Sequence, residues 1–166
     1  MDTAKRALQG GGVKSSNFIV ASQGKEVLEK AAAVRWGTHL LRWRYFDVIH
    51  EGITYHKASL IPSNLWHLLK RIYVDQDWAI DTTLEKFNQD ARSTIRSHDT
   101  DIYVFGYYRT DPPRLQWGFL NRHSGIAVVY DMEAGLVATV FRPEDGEAFF
   151  LGQIDSVKID REEWNI

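Results

Sequence analysis

The sequence predicts an α+β fold, with N-terminal helices packed on a four-stranded antiparallel β-meander. Three observations carry that expectation. Between Lys25 and Ser97 apolar residues recur about every three to four positions, the spacing of a helix buried on one side. After His98 they alternate instead, in short runs separated by turns rich in Gly, Pro, Asn and Asp. Helical segments gathered ahead of strands joined by tight turns belong to the α+β class. The 166-residue length suits one domain with an arm, since single domains run ~100–200 residues.

The elements follow in order. Met1 to Ser16 contains Gly10-Gly11-Gly12 and no helical period, so residues 1–24 read as a flexible arm or linker. It reads either as a linker from a longer protein or as a tail of an independent one. Residues 25–166 read as a single α+β domain, helical over 25–98 and sheet over 99–166. Lys25 to Tyr45 reads as one helix, with Val27, Leu28, Val34, Leu41 and Tyr45 near helical spacing. Asp47 to Leu60 is ambiguous, with Ile53-Thr54-Tyr55 a possible strand between Gly52 and Pro62. Ser63 caps a short helix through Leu65, Leu68, Leu69 and Ile72. Asp81 or Thr82 caps a clearer helix to about Ser97, with Glu85 three residues after Thr82 as in a capping box. Asp101–Arg109, Leu115–Phe119, Ile126–Tyr130 and Leu136–Arg142 are the expected strands. Glu147–Ile159 is a last helix or strand.

Composition narrows the function. Hydrophobic residues make up 44% and charged residues 25%, too apolar for disorder and ordinary for a soluble chain. No apolar run approaches the ~18 residues of a membrane span, and no signal-peptide core is present. A soluble protein acting in the cytoplasm is expected, with delivery as the C-terminal part of a larger secreted protein left open. The absence of cysteine removes disulfides, thiolate metal sites and cysteine nucleophiles. Phosphate-loop, dinucleotide, zincin, serine-hydrolase and EF-hand signatures are missing. His50 and His56 flank Gly52 without a zincin-type partner, so neither metal nor other cofactor is expected. The net charge of −2 hides an asymmetry: residues 1–71 carry 11 Lys+Arg against 5 Asp+Glu, and residues 72–166 carry 9 against 17.

In the strand half, every cation from Gln89 to Arg142 is arginine: Arg92, Arg96, Arg109, Arg114, Arg122 and Arg142. Guanidinium is a planar fork matched to phosphate oxygens, and aromatic residues such as Tyr107 and Trp117 interleave with it. That mixture suits single-stranded RNA, with phosphates clamped and bases stacked. The structural alternative makes the aromatics core and the arginines rim charges. Metal-free RNA cleavage needs a base for the 2′-OH, an acid for the departing 5′-oxygen and a cation at the phosphorane. His98, between a helix and the first strand, and His123, in a turn, are the candidate proton carriers. Thr139 and Arg142 offer a hydroxyl and a cation, although a period of two places them on opposite sheet faces unless a bulge intervenes. Arg109 and Arg122 are the candidate phosphate clamps.

The segment Gly118–Tyr130, with Asn121, Ser124 and Gly125 as an N-x-x-[ST]-G turn, continues through a strand ending at Arg142-Pro143. Over about residues 80–145 it resembles the colicin D-like ribonucleases of the barnase/EndoU/colicin/RelE superfamily, which form the C-termini of contact-dependent inhibition and other polymorphic toxins. The resemblance implies helices before a four-stranded antiparallel sheet. It also implies a metal-independent ribonuclease toxin that cleaves RNA, tRNA in particular, and is neutralised by a cognate immunity protein. His123 falls on a turn position that varies among such domains, and His39, His67 and His98 compete for the early helical histidine. The alternative function is a non-enzymatic interaction module, such as an immunity or accessory protein, using the six tryptophans and the acidic C-terminal stretch.

Overall fold

The computed structural model describes residues 24–162 and residue 166. The segment expected as an arm lies, Gly24 apart, outside the described residues. The backbone divides into two compact units, Trp36–Asp90 and the remainder. The class is α+β, with four helices and antiparallel sheets among the described residues.

The larger unit holds α1 (Gly24–Ala32) and the end of α3 (Leu84–Arg96). It also holds β5 (Thr100–Tyr107), β6 (Arg114–Asn121), β7 (Ala127–Asp131), β8 (Leu136–Phe141), α4 (Glu147–Leu151) and β9 (Ile154–Ile159). The four expected strands run in meander order, as alternation and short turns dictate. The sheet has a fifth strand, however: β9 pairs antiparallel with β5, giving the order β8-β7-β6-β5-β9. Glu147–Ile159 is therefore both a helix and a strand, and α4 follows the meander rather than preceding it.

Antiparallel register assigns the two faces. Tyr103 is opposite Gly118, and Gly118 is opposite Val129, so these three share one face. There Tyr103, Phe105, Leu120, Ala127, Val129 and Phe150 form a buried cluster, flanked by Ala138 and Phe141. Phe150, from α4, stacks on Tyr103 with ring centroids 4.9 Å apart and 8° between planes. The ring lies where Gly118 leaves room: a Cβ there would sit 2.2 Å from Phe150 Cε1. The opposite face carries Ile102, Val104, Trp117, Phe119, Val128 and Val140, all fully buried.

The smaller unit differs from the expected helices. The helix begun at Gly24 ends at Ala32, not at Tyr45. Its close is a tightened turn, Val34 N–H to Ala31 O at 3.0 Å, with Val34 in the left-handed region at φ 48°. Beyond it, β1 (Leu40–Arg42) pairs with β4 (Leu60–Pro62), and β2 (Val48–His50) pairs with β3 (Ile53–Tyr55). The helical spacing of Leu41 and Tyr45 is thus incidental: pairing of Leu41 with Ile61 overrides it. Ile53–Tyr55 is the strand suspected from sequence. Helix α2 (Ser63–Tyr73) starts at Ser63 itself, with Pro62 in the cap position. The cap of α3 is Thr83, whose Oγ1 accepts Lys86 N–H at 3.1 Å, one residue beyond the expected Thr82.

Trp43, Val48, Ile61 and Leu69 make the core of this unit. Two further tryptophans are tied down by their indole N–H groups, Trp36 to Asn88 and Trp78 to Asp90, each at 3.0 Å. His67 lies against the rings of Trp36 and Trp66. Burial, with Arg71 and Lys70 nearby, pushes its imidazole down to about 3.

Two outcomes follow from this packing. Gly118→Ala should cost ~1–3 kcal/mol as overpacking, and Phe150→Ala ~3–5 kcal/mol. In the double variant the added methyl no longer meets a ring, so urea midpoints should show a cost well below the sum; strict additivity would refute the contact. The second concerns His67, which binds its proton near ~6.5 when unfolded and near 3 when folded. Its contribution to stability is complete above ~6.5 and is lost as pH falls toward the folded value. His67→Gln should therefore flatten the fall of the urea midpoint between about pH 6 and pH 4, and an unchanged slope would contradict the assignment.

Candidate functional site

Register brings two turns to the same end of the sheet. Thr100 is opposite Asn121, so the α3–β5 turn (Ser97, His98, Asp99) adjoins the β6–β7 turn that begins at Asn121. Arg122 N–H donates to Asp99 O at 3.1 Å and joins them. Asn121 Oδ1 accepts the His123 and Ser124 N–H groups, each at 3.0 Å. Ser124 Oγ accepts Ile126 N–H, and Gly125 takes the left-handed conformation at φ 73°. Each residue of the N-x-x-S-G signature thus has a turn-building role.

A chain of ion pairs spreads from this junction. His123 Nε2 lies 3.2 Å from Asp99 Oδ2, with both side chains more than half exposed, at 76% and 53%. Arg122 pairs with Asp99 at 3.7 Å and closely with Asp101. Lys158 links Asp101, at 3.6 Å, to Glu147, at 3.3 Å. The Lys158 ammonium also stands 6.0 Å from the Tyr103 ring centroid. Burial, reinforced by Glu147 and Asp101, pushes the Tyr103 phenol well above its usual range. Arg161 donates to Ser97 O at 3.0 Å, and burial lowers its pKa.

The expected site residues divide among four places. His98, Arg122, His123 and Arg142 gather at this end: His98 is exposed beside Asp99, and Arg142 donates to Ser124 O. Thr139 is half-buried within β8, opposite Val129 and on the face that carries Phe150. The β8 irregularity precedes Thr139 rather than separating it from Arg142, which turns toward Ser124 only after the strand has ended at Phe141. Tyr107 and Arg109 are at the far end of β5, roughly 25 Å away at ~3.4 Å per residue. There Arg109 Nε donates to Tyr108 Oη at 2.7 Å, which raises its pKa. Trp117 is wholly buried and offers no ring face to a base.

Sequence reasoning missed Asp99, Asp101, Glu147 and Lys158. Asp99-Thr100-Asp101 held a signal, since a period of two turns both carboxylates away from the face on which Thr100 is buried. Among the described residues no group of three or more His, Asp or Glu side chains could hold a metal ion. Asp99 lies within ion-pair distance of His123 Nε2, and either imidazole nitrogen can carry the proton. The arrangement can therefore pass a proton next to fixed guanidinium groups.

Comparison with protein-family models, with curated proteins and with solved structures finds no match to this chain.

Arg122 is half exposed, so its pairs add little to stability, although Asp101 itself is only 14% exposed. Arg122→Gln should shift the unfolding free energy by no more than ~1 kcal/mol, as read from urea titration. A loss of several kcal/mol would make Arg122 a structural residue.

Proposed function

We propose that this protein is a metal-independent endoribonuclease, a toxin domain that cleaves RNA, tRNA in particular, and is held in check by a cognate immunity protein. The observation that carries the reading is the Asp99–His123 pair at 3.2 Å, beside Arg122 and next to exposed His98. In this scheme the His123 imidazole, with Asp99 3.2 Å from its Nε2, takes the proton of a ribose 2′-OH. The 2′-oxygen attacks phosphorus and the P–O5′ bond breaks. His98 gives a proton to the departing 5′-oxygen, leaving a 2′,3′-cyclic phosphate and a 5′-OH. Arg142 and Arg122 face the charge that grows on the phosphorane. Arg122 is already held by two carboxylates, so a phosphate competes with Asp99 and Asp101 for it. Thr139, half-buried in β8 on the face that carries Phe150, has no assigned step in this scheme, and Tyr107 and Arg109 would meet the RNA elsewhere along its length.

A specific observation favours a second reading, the interaction module. Leu40 and Leu60 lie on one face of the β1–β4 ribbon and are 56% and 60% exposed. Among the described tryptophans, by contrast, Trp43, Trp78 and Trp117 are buried and Trp36 and Trp66 half-buried, so leucine rather than tryptophan supplies this surface.

Purified protein incubated in EDTA with total RNA from a sensitive bacterium should yield discrete fragments on a denaturing gel. His123→Ala should slow cleavage by ~10²-fold, the usual weight of one general acid or base. Arg109→Ala, at the other end of the sheet, should raise KM for RNA while leaving the rate at saturating RNA nearly unchanged. RNA that stays intact at high protein concentration would replace this reading with the interaction module. Full cleavage by both His98→Ala and His123→Ala would move the site elsewhere.

A further inference from the structure

A second polar site lies at the opposite end of the sheet from His123. A pocket of about 450 Å³ opens between the end of α1 and the β7–β8 turn, lined by Glu29, Lys30 and Arg35 on one side and Tyr130 and Gly135 on the other. Tyr130 is only 2% exposed. Its hydroxyl reaches the turn, since a Cβ on Gly135 would lie 3.8 Å from it. Among the described residues nothing accepts a hydrogen bond from that hydroxyl. A phenol O–H that lines a pocket without a protein partner among the described residues is a donor open to a ligand.

The charges around it are mixed, with Lys30 and Arg35 against Glu29, and Asp131 also acting on the phenol. Lys30 and Arg35 both act on the Tyr130 hydroxyl electrostatically. Lys30 is shared with Glu26, one helical turn back, at 2.8 Å, whereas Arg35 has no carboxylate partner among the described residues. The Arg35 backbone is fixed by Val137 N–H donating to its carbonyl at 2.7 Å, which anchors the root of the side chain at the rim. Burial raises the pKa of Tyr130, so at neutral pH the phenol keeps its proton and donates it. The C-terminal end of α1 opposes an anion with about half a charge. Arg35, which has no carboxylate partner among the described residues, stands against it, with Lys30 shared with Glu26.

We propose that this pocket binds a phosphate group, with the Tyr130 hydroxyl and the Arg35 and Lys30 cations as its contacts. A phosphomonoester carries close to two negative charges and three acceptor oxygens, a better match to two cations and a phenol than a carboxylate. Glu29 at the rim disfavours a second anionic group and can accept from a hydroxyl. The volume falls in the ~300–1,000 Å³ range of small-molecule pockets, so the phosphate can come free or on a small hydroxylated body. The site is independent of the ribonuclease reading.

Titration calorimetry of the full chain at fixed ionic strength, with inorganic phosphate, ribose 5-phosphate and ribose, tests it. Saturable binding is expected for at least one phosphate compound and none for ribose. Tighter binding of the ester would identify a phosphomonoester, and equal binding free phosphate. Tyr130→Phe keeps the ring in place and removes only the donor. It and Arg35→Gln should each weaken binding about tenfold or more, the weight of a charge-assisted hydrogen bond. No saturable binding of either phosphate compound by folded protein would overturn the proposal. So would affinities unchanged in both variants, whatever happens to RNA cleavage.

Discussion

The seating of Phe150 on Gly118 is the constraint on which the larger unit depends. Gly118 lies in the middle of β6, where glycine weakens a strand, and its missing side chain makes a hollow that the ring fills. The ring then stacks on Tyr103 and touches Phe105, so one five-residue helix covers the centre of a sheet face. A helix that short has no stability of its own. Its place comes from Phe150, and its neighbours follow from that place. Glu147 opens α4 and β9 leaves it, so docking the ring sets both Glu147 and Lys158 beside Asp101. The ion-pair chain at the sheet end is thus built on an apolar contact.

That chain also explains what becomes of the acidic half of the sequence. Asp99, Asp101 and Glu147 are spent on Arg122, His123 and Lys158, while Asp131 and Glu133 pair with Arg114. The excess of negative charge in residues 72–166 therefore does not form one bare patch over the sheet. Exposed charges more than ~8–10 Å apart are largely screened at physiological salt. A polyanion approaching the His123 end would respond to the local pairs rather than to the formal total.

The strands were legible because they obey a period of two with turn residues between them, and the β6–β7 turn was legible residue by residue. Trp117 was misjudged as a stacking residue, although its alternation argued for the core. It alternates with Leu115 and Phe119, and three large apolar residues on one side of a strand define a core face. The helix over 25–45 was misjudged because Leu41 and Tyr45 keep the right spacing by accident. The helix closes in the turn at Val34, and Leu40–Arg42 is a strand through pairing with Leu60–Pro62, some twenty residues away, which no local pattern encodes. Asp99 and His123 are 24 positions apart and meet only through the β5–β6 register. Sequence could supply the histidine and the turn, but not the carboxylate that orients it.

The two ends of the sheet show how one scaffold separates two kinds of polar chemistry. At the His123 end Asp99, Asp101 and Glu147 each have a cationic partner within 4 Å, and the histidine is highly exposed, so the groups are open to a large ligand. At the Tyr130 end a phenol hydroxyl faces an open pocket of about 450 Å³ with Lys30, Arg35 and Glu29 around it, a volume that suits a compact ligand. Between them β5 to β8 are held by buried rows on both faces. Neither end can shift far without disturbing packed aromatic rings, so each keeps its geometry whatever the other binds.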